Sequence, residues 1–136
     1  MTNESPEERH PLLAALGDGE LVESDEEHGR AVLEFTGKQE FAHSGGMIQG
    51  GFVTGWIDSA MAHAVFAQSR GEHAPSTLEI KVSFLRGTPP GVRIRAEGWV
   101  ERMGRSIAFL GGRLLDAEGN VLATATSTVQ LRPRER

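Results

Sequence analysis

The fold depends on one stretch of the chain, residues 45–61, which reads GGMIQGGFVTGWIDSAM. Glycines open this stretch, and from Gly50 to about Gln68 apolar side chains recur at the i, i+3, i+4 and i+7 spacing of an α-helix. Small residues between them allow other elements to approach the helix closely. We therefore predict a helix that is buried on much of its circumference and carries one acid, Asp58, on the flank of its apolar stripe.

Around this helix the chain alternates apolar and polar residues with the period of two that is typical of β-strands. Two strands are predicted before the helix, at about 19–27 and 30–36, and four after it, at 76–85, 92–101, 106–115 and 121–131. Turn residues separate the later four, which predicts an antiparallel meander. Because such a sheet has one apolar face that needs cover, we expect an α+β fold in which the antiparallel sheet wraps around the one long central helix.

The length of 136 residues fits a single domain, which we place at residues 19–132. A segment at 1–18, frayed over about its first ten residues and containing a short helix at 11–16, precedes it, and a tail at 133–136 follows. The start of the chain lacks the basic and apolar regions of a signal peptide, and no apolar run has the length of a membrane span. With no cysteine in the chain, we expect a cytoplasmic protein without membrane contact and without a thiol nucleophile.

The net charge of −5 is unevenly distributed, with −8 over residues 1–40 and +3 over residues 41–136. The second part could therefore receive an anionic ligand although the whole chain is acidic. Nucleic acid is not an expected partner, because the chain lacks a basic stripe with interleaved aromatic residues. No set of His, Asp and Glu has the spacing of metal ligands, so no metal is expected.

Several residues of the stretch could take part in chemistry. On the flank of a buried helix, Asp58 would be a half-desolvated base or nucleophile. The alternative is a rim aspartate that caps a loop or pairs with an arginine, and the spacing alone slightly favours this alternative. The N–H groups of Gly50 and Gly51, at the positive end of the helix dipole, could form an oxyanion hole or merely serve a tight turn. Beside the glycine loop, His43 and Gln49 could orient a water or a carbonyl group.

The same residues resemble the signature of the hotdog-fold acyl-CoA thioesterases of the PaaI type, in the 4-hydroxybenzoyl-CoA thioesterase-like superfamily. That signature reads Asn-x-x-Gly-x-x-His-Gly-Gly followed by an Asp on the helix, and it is similar to residues 46–51 and 56–61 here. The similarity continues through residues 76–86, Gly104-Arg105 and 116–125, and so spans roughly residues 20–131. Two positions differ, since the His of the signature is Gln49 and its Asn is His43.

The resemblance implies hydrolysis of an acyl-CoA thioester to free acid and coenzyme A, with no cofactor other than the coenzyme A of the substrate. It assigns Asp58 as general base or nucleophile, Gly50 N–H as the donor to the thioester carbonyl, and Thr77 as a hydroxyl near the carboxylate. It also implies that subunits join their sheets as a homodimer or homotetramer, with each site shared between the loop of one subunit and the helix of the other. The candidates for contact with the coenzyme A phosphates are Arg86, Arg102 and Arg105.

The acyl group is expected beside Gly51, among apolar side chains near the loop: Phe41, Met47, Phe52 and Trp56. Because Gln49 and His43 depart from the family pattern, a non-catalytic acyl-CoA binding module on the same fold is an alternative, and a hotdog dehydratase is a weaker one.

Thr77 poses a further question, because its strand parity is opposite to that of Leu78 and Ile80, which the alternation assigns to the helix-facing side. It reaches Asp58 only if the strand end bends or the site lies at the sheet edge.

Overall fold

The computed structural model describes residues 10–134, so the expected frayed residues 1–9 and the last two residues of the predicted tail lie outside the described part. In chain order the elements are α1 (Pro11–Ala15), β1 (Glu20–Asp25), β2 (Arg30–Thr36), a 3-10 turn (Gln39–Phe41), α2 (Gly50–Ser69), β3 (His73–Phe84), β4 (Arg93–Met103), β5 (Ile107–Leu115) and β6 (Val121–Pro133). The short helix, the long helix and the six strands predicted from the sequence are all present. Their ends differ from the predicted ones by a few residues.

The long helix α2 is central, as its apolar pattern predicts. It begins at Gly50 and ends before Arg70, whose left-handed backbone (φ 54°) closes the last turn while its N–H donates to Ala67 O. Its buried side chains are Val53, Trp56, Ile57, Ala60, Met61, Ala64, Val65 and Ala67. Neither of the α-helices between residues 10 and 134 is long and apolar enough to cross a membrane.

The sheet has six strands in the order β1-β2-β4-β5-β6-β3, and all neighbours are antiparallel. The predicted meander is correct for β4, β5 and β6 but wrong for β3, which pairs with β6 at the far edge. The reason is that α2 carries the chain across the inner face of the sheet, and β4 then returns to lie beside β2. Alternation within a strand reveals its two faces, but it carries no information on which strands are its neighbours.

A β-bulge at Leu78 divides β3 into two parts. Thr77 pairs with Val129 and Glu79 pairs with Thr128, so Leu78 is an extra residue without a partner of its own. The parity of the strand changes there, and Thr77 shares the helix-facing side with Ile80. The prediction that Leu78 faces the helix is therefore wrong, and its side chain is 56% exposed.

Helix and sheet approach each other closely at Gly98 of β4. A Cβ atom at this position would lie 2.4 Å from the carbonyl carbon of Ala60 and 2.4 Å from the nitrogen of Met61. Because both atoms belong to the backbone of α2, neither can move aside as a flexible side chain would. The absence of a side chain at Gly98 thus lets the helix rest directly on the middle of the sheet.

We predict that Gly98→Ala lowers the free energy of unfolding by about 1–3 kcal/mol, because the added methyl group overpacks the contact between β4 and α2. Gly55→Ala is the matched control. Its Cβ would lie 3.6 Å from Leu16 Cδ2, an ordinary contact, and alanine is the better helix former, so we expect a gain of up to about 1 kcal/mol. Urea unfolding of both variants checks the opposite signs, and equal stabilities for Gly98→Ala and the wild type would contradict the assignment of this contact.

Candidate functional site

Asp58 lies on α2 at a half-buried position that faces β3. Its Oδ1 atom accepts a hydrogen bond from the Thr77 hydroxyl, with 3.2 Å between the oxygens. The bulge at Leu78 makes this contact available, because it turns Thr77 to the helix-facing side of the strand. The question of parity raised by the sequence is thereby answered, and Thr77 and Asp58 come together as the resemblance implies.

Burial raises the pKa of Asp58, and the hydrogen bond from Thr77 lowers it in part, so that the net shift is upward. Within residues 10–134 no Lys, Arg or His side chain lies within ion-pair distance of the carboxylate. The alternative in which Asp58 pairs with an arginine is therefore not found in this part of the chain. A partly desolvated carboxylate with no cation beside it is a stronger base than an exposed aspartate.

The glycine loop before α2 is held by its own hydrogen bonds. His43 Nδ1 accepts from the N–H of Gly45 at 2.8 Å, and the carbonyl oxygen of His43 accepts from the N–H of Gly46 at 2.9 Å. The loop is tied to its surroundings by the N–H of Ile48, which donates to Thr88 O. Since Nδ1 acts as an acceptor, the proton of the neutral imidazole is on Nε2, and His43 is exposed there as a donor.

The two glycines at the start of α2 differ in their hydrogen bonding. Gln49 is the N-cap of the helix, and its Oε1 atom accepts from the N–H of Gly51 at 2.7 Å. The Gly51 amide is thus used within the chain, although the sequence suggested both glycines as donors. Gly50 is the first residue of the helix, so its N–H has no carbonyl of an earlier turn to bind and is the amide that can serve a ligand.

A cavity of about 360 Å³ opens beside Gly50. It lies between the glycine loop, which contributes His43 and Met47, and the chain at and after the end of β3, which contributes Phe84 and Arg86. The ring of Phe84 lies over Gly50, since a Cβ atom there would be 3.1 Å from the end of the ring. Phe84 takes part in the cavity because it lies at the end of an edge strand, and the sequence does not reveal which strand is at the edge.

The aromatic residues expected around an acyl group lie mostly deeper in the protein. Phe41 is buried and stacks on Phe52 with 4.1 Å between ring centroids. Trp56 is fully buried, donates its indole N–H to Leu16 O and stacks on Phe35. Its expected contact with the acyl group is corrected to a core role, because no part of its side chain reaches the cavity or the surface.

The three candidate arginines are exposed and divide between the two ends of the sheet. Arg86 lies in the wall of the cavity. Arg102 is among the last paired residues of β4, and Arg105 follows the end of that strand. This end of β4 lies at the same end of the sheet as Thr77 of β3, because β5 and β6 between them pair in register with both. None of the three forms an ion pair with another described residue, so their charge is available to an anion.

The candidate residues thus form two groups. We call Gly50, the loop at 43–49 and the adjacent cavity the amide half-site, and Asp58 with Thr77 the carboxylate half-site. Gly50 and Asp58 are eight positions apart on one helix, a rise of about 12 Å. Within residues 10–134 no group of three or more His, Asp or Glu side chains could hold a metal ion in either half-site or elsewhere.

The chain is similar to known proteins, as both a family model and a curated relative show. The sequence model of a family described as the thioesterase superfamily matches residues 45–123, which contain Gly50, Asp58 and Thr77. A curated relative from Saccharolobus solfataricus, provisionally named an esterase, is 32% identical over 99 residues, which are 73% of this chain and 69% of the relative.

Two solved structures have the same fold. A variant of the phenylacetic acid degradation protein PaaI from Thermus thermophilus is 26% identical, with a TM-score of 0.78 over 89% of this chain and 98% of that one. The protein smu.793 from Streptococcus mutans, solved bound to acetyl CoA, is 14% identical, with a TM-score of 0.78 over 87% of this chain and 91% of that one. The hotdog fold and the resemblance to PaaI-type proteins, both expected from the sequence, are confirmed.

The raised pKa of Asp58 predicts that Asp58→Asn stabilises the protein at neutral pH. A raised pKa means that the folded state binds the proton more tightly than the unfolded state, so ionisation of Asp58 opposes folding. Removing the charge should therefore increase the free energy of unfolding at pH 7, by about 1 kcal/mol or less because the group is partly exposed. The gain should vanish as the pH falls below about 4, where Asp58 is protonated in both states.

Thermal unfolding of both proteins between pH 3 and pH 8 measures this difference, with Asp116→Asn as the control of opposite sign. Hydrogen bonds from Asn120 and Glu118 lower the pKa of Asp116, so its replacement should reduce stability at neutral pH. A lower stability of Asp58→Asn at pH 7 would contradict the prediction.

Proposed function

The chain belongs to the thioesterase superfamily, and we propose that the thioesters it hydrolyses are acyl-CoA esters and that Asp58 is the catalytic carboxylate. Hydrolysis of thioesters in general follows from the family, and the substrate class and the residue roles are the proposal. The observation that carries it is the environment of Asp58. This carboxylate is half-buried, has no cation within ion-pair distance in the described chain and is hydrogen-bonded to Thr77, on the helix whose first residue, Gly50, lines a cavity.

In this mechanism Gly50 N–H donates a hydrogen bond to the carbonyl oxygen of the thioester. The positive end of the α2 dipole adds to the stabilisation of the negative charge that develops on this oxygen. Asp58 either attacks the carbonyl carbon or removes a proton from an attacking water, and both roles need an ionised carboxylate at the same place. In the base route, water adds to the carbonyl carbon, the bond between carbon and sulfur breaks, and the proton taken up by Asp58 passes to the sulfur, so that the free acid and the thiol of coenzyme A leave. In the nucleophile route, the bond between carbon and sulfur breaks as a mixed anhydride forms on Asp58. Water then hydrolyses this anhydride to the free acid and restores the carboxylate, and a proton released in that step converts the thiolate of coenzyme A to the thiol. Thr77 fixes the orientation of the carboxylate throughout.

The site we propose is shared between two subunits. Gly50 and Asp58 are separated by about 12 Å of helix, whereas an oxyanion donor and a nucleophile must lie about 3 Å from the same reacting group. One chain therefore cannot supply both to one thioester. Two copies can, if the carboxylate half-site of one meets the amide half-site of the other.

The edge strand β3 is suited to such a pairing. It lies at the end of the sheet, and an edge presents unpaired N–H and C=O groups to any strand that can join it. Large apolar side chains at this edge are exposed, namely Leu78, Phe84 and Leu85 at 55–59%. When two copies of one strand pair antiparallel, the two ends of the strand come to lie opposite each other. The Phe84 end, next to Gly50, thus meets the end of the partner that carries the carboxylate half-site.

The charge and shape of the two half-sites support coenzyme A as the leaving group. Three exposed arginines that form no ion pair with another described residue, Arg86, Arg102 and Arg105, can bind its phosphates, which suit the guanidinium group well. The cavity beside Gly50 has apolar walls from Met47, Phe84 and Leu85 and, at about 360 Å³, can enclose a small acyl group. The structural neighbour from Streptococcus mutans was solved with acetyl CoA, which is consistent with a ligand of this class.

We predict that the wild-type protein releases free thiol from at least one member of a panel of acyl-CoA esters, and that Asp58→Asn lowers kcat by about 100-fold or more. Asp116→Asn, which removes an exposed carboxylate in the turn between β5 and β6, should leave turnover unchanged. A thiol-reactive dye measures release, and calorimetry measures binding. Full turnover by Asp58→Asn would refute the mechanism. Tight binding without thiol release by the wild type would identify a non-catalytic acyl-CoA binding module.

The role of the Gly50 amide can be isolated with two substitutions. Gly50→Pro removes the N–H, and the first helical position tolerates proline; Gln49 before it already has the extended backbone (ψ 137°) that proline requires. Gly50→Ala adds a similar Cβ contact with Phe84 but keeps the N–H. We expect kcat to fall by about 100- to 1,000-fold in Gly50→Pro and only slightly in Gly50→Ala. Equal losses in the two variants would instead assign the effect to crowding of Phe84.

Mixed dimers of Gly50→Pro and Asp58→Asn test the sharing of the site in the same assay. A mixed dimer has one subunit of each kind. One of its two sites contains both substitutions, and the other contains the Gly50 of the Asp58→Asn subunit and the Asp58 of the Gly50→Pro subunit, both intact. Such dimers, isolated with two different affinity tags, should recover about half of the wild-type turnover, since one of the two sites is complete. If each chain held a whole site of its own, the mixed dimers would stay inactive.

A further inference from the structure

Ser127 is a buried polar residue whose presence the proposed mechanism does not explain. It lies on the helix-facing side of β6 with 3% of its surface exposed, between the apolar neighbours Ala125 and Val129 on the same face. The residue opposite it on the neighbouring strand β5 is Leu110, which is also buried. A hydroxyl group among such neighbours is costly unless it is hydrogen-bonded, so its partner indicates what it does there.

The hydrogen-bond partner of Ser127 lies at the bulge of β3. The hydroxyl donates to the backbone carbonyl oxygen of Glu79 at 2.8 Å, and Glu79 directly follows the extra residue Leu78. A bulge interrupts the regular ladder of hydrogen bonds, so a side-chain donor at this point compensates for the irregularity. The Ser127 hydroxyl is thus bonded to the backbone of the residue that immediately follows the extra residue Leu78.

The position of the bulge decides which side chain of β3 faces Asp58. With the bulge at Leu78, Thr77 lies opposite Val129 on the helix-facing side and its hydroxyl reaches the carboxylate. In a regular strand with the pairing of Glu79 unchanged, Leu78 would take that side and Thr77 would face away, because successive side chains alternate. A shift of one residue would therefore replace the hydroxyl beside Asp58 with a leucine.

We propose that Ser127 is a positioning residue for Asp58, which acts by anchoring the β-bulge that directs Thr77 to the carboxylate. Ser127 itself touches neither the carboxylate half-site nor the cavity, and its effect passes through the backbone of Glu79 and the orientation of Thr77. That this matters for catalysis rests on the proposed function, whereas the structural link from Ser127 to Asp58 does not.

The surroundings of Asp58 make this link measurable. Among the described residues, Thr77 is the one side chain that donates a hydrogen bond to its carboxylate, and no charged side chain lies within ion-pair distance. Burial by α2 and β3 acts in the opposite direction to Thr77 on the pKa of Asp58. A loss of the Thr77 contact must therefore raise the pKa of Asp58 further, and a titration of this carboxylate reports on the bulge.

The experiment compares Ser127→Ala, Thr77→Val and the double variant with the wild type, by NMR titration of the Asp58 carboxyl carbon and by steady-state kinetics. We expect the Asp58 titration to move to higher pH in both single variants and no further in the double variant, because both changes remove the same hydrogen bond. We also expect kcat to fall by about tenfold in Ser127→Ala with KM nearly unchanged, since the carboxylate is misplaced rather than absent. The acidic limb of the pH profile should move with the titration.

The matched control is Thr128→Val on the next residue of β6. Thr128 also binds Glu79, but its hydroxyl donates to the side-chain Oε1 at 3.1 Å, on the outer face of the sheet. This variant should leave the titration and kcat unchanged. If Ser127→Ala does not fold, Ser127→Cys replaces the hydroxyl with a weak donor of similar size and should show the same shift.

The outcomes separate the inference from the proposed function. An unchanged Asp58 titration in a folded Ser127 variant, or equal effects of Ser127→Ala and Thr128→Val, overturns the positioning role even if Asp58→Asn abolishes turnover. A shifted titration in Ser127→Ala together with full turnover by Asp58→Asn supports the positioning role and refutes the proposed catalytic one. Additive shifts in the double variant would show that Ser127 does not act through Thr77, and would also overturn the inference.

Discussion

The close contact between the backbone of α2 and the middle of the sheet is the constraint from which the rest of the structure follows. At Gly98 the strand has no side chain, and the helix backbone occupies the space where one would be. A helix that lies this deep must be apolar on most of its surface, as the buried residues from Val53 to Ala67 are. It also crosses from one end of the sheet to the other, so that its first amide and its acid emerge at different places along the edge strand. The separation of the two half-sites follows from the eight positions between Gly50 and Asp58 on this helix, and its packing places them at different points along β3.

The sequence predicts this core well because local pattern and tertiary role agree there. The helical spacing of Val53, Ile57 and Ala60 and the alternation of β4 and β5 both reflect burial against one another. The position of β3 was not predictable in the same way, because pairing with β6 is decided by how the chain crosses the sheet. The orientation of Leu78 and Thr77 was not predictable either, since a bulge reverses strand parity and has no signature in a run of alternating residues.

For the candidate site, the sequence identified residue types but not their surroundings. The angular position of Asp58 around the helix, on the flank of the apolar stripe, predicts partial burial, and Asp58 is half-buried in the structure. Trp56, only two residues earlier, looked equally suited to a ligand, yet it is enclosed in the core by Leu16 and Phe35. Large aromatic side chains serve cores and binding sites alike, and only the path of the N-terminal segment over the helix distinguishes the two cases. Phe84 shows the converse, since its place in the alternation of β3 does not indicate a site residue, yet it covers Gly50 at the edge of the cavity.

The two departures from the family pattern, Gln49 and His43, bear on whether the chain is an enzyme or a binding module. Both side chains bond to backbone amides of the stretch that presents Gly50, Gln49 to the N–H of Gly51 and His43 to the N–H of Gly45. Neither one blocks or occupies the Gly50 amide, so the substitutions alter how the loop is held and leave its donor open. Because Gln49 caps the helix by accepting from the N–H of Gly51, the cap does not use the N–H of Gly50, which lies beside the cavity at the positive end of the dipole. In the proposed mechanism, therefore, neither Gln49 nor His43 removes the hydrogen-bond donor that the thioester carbonyl requires.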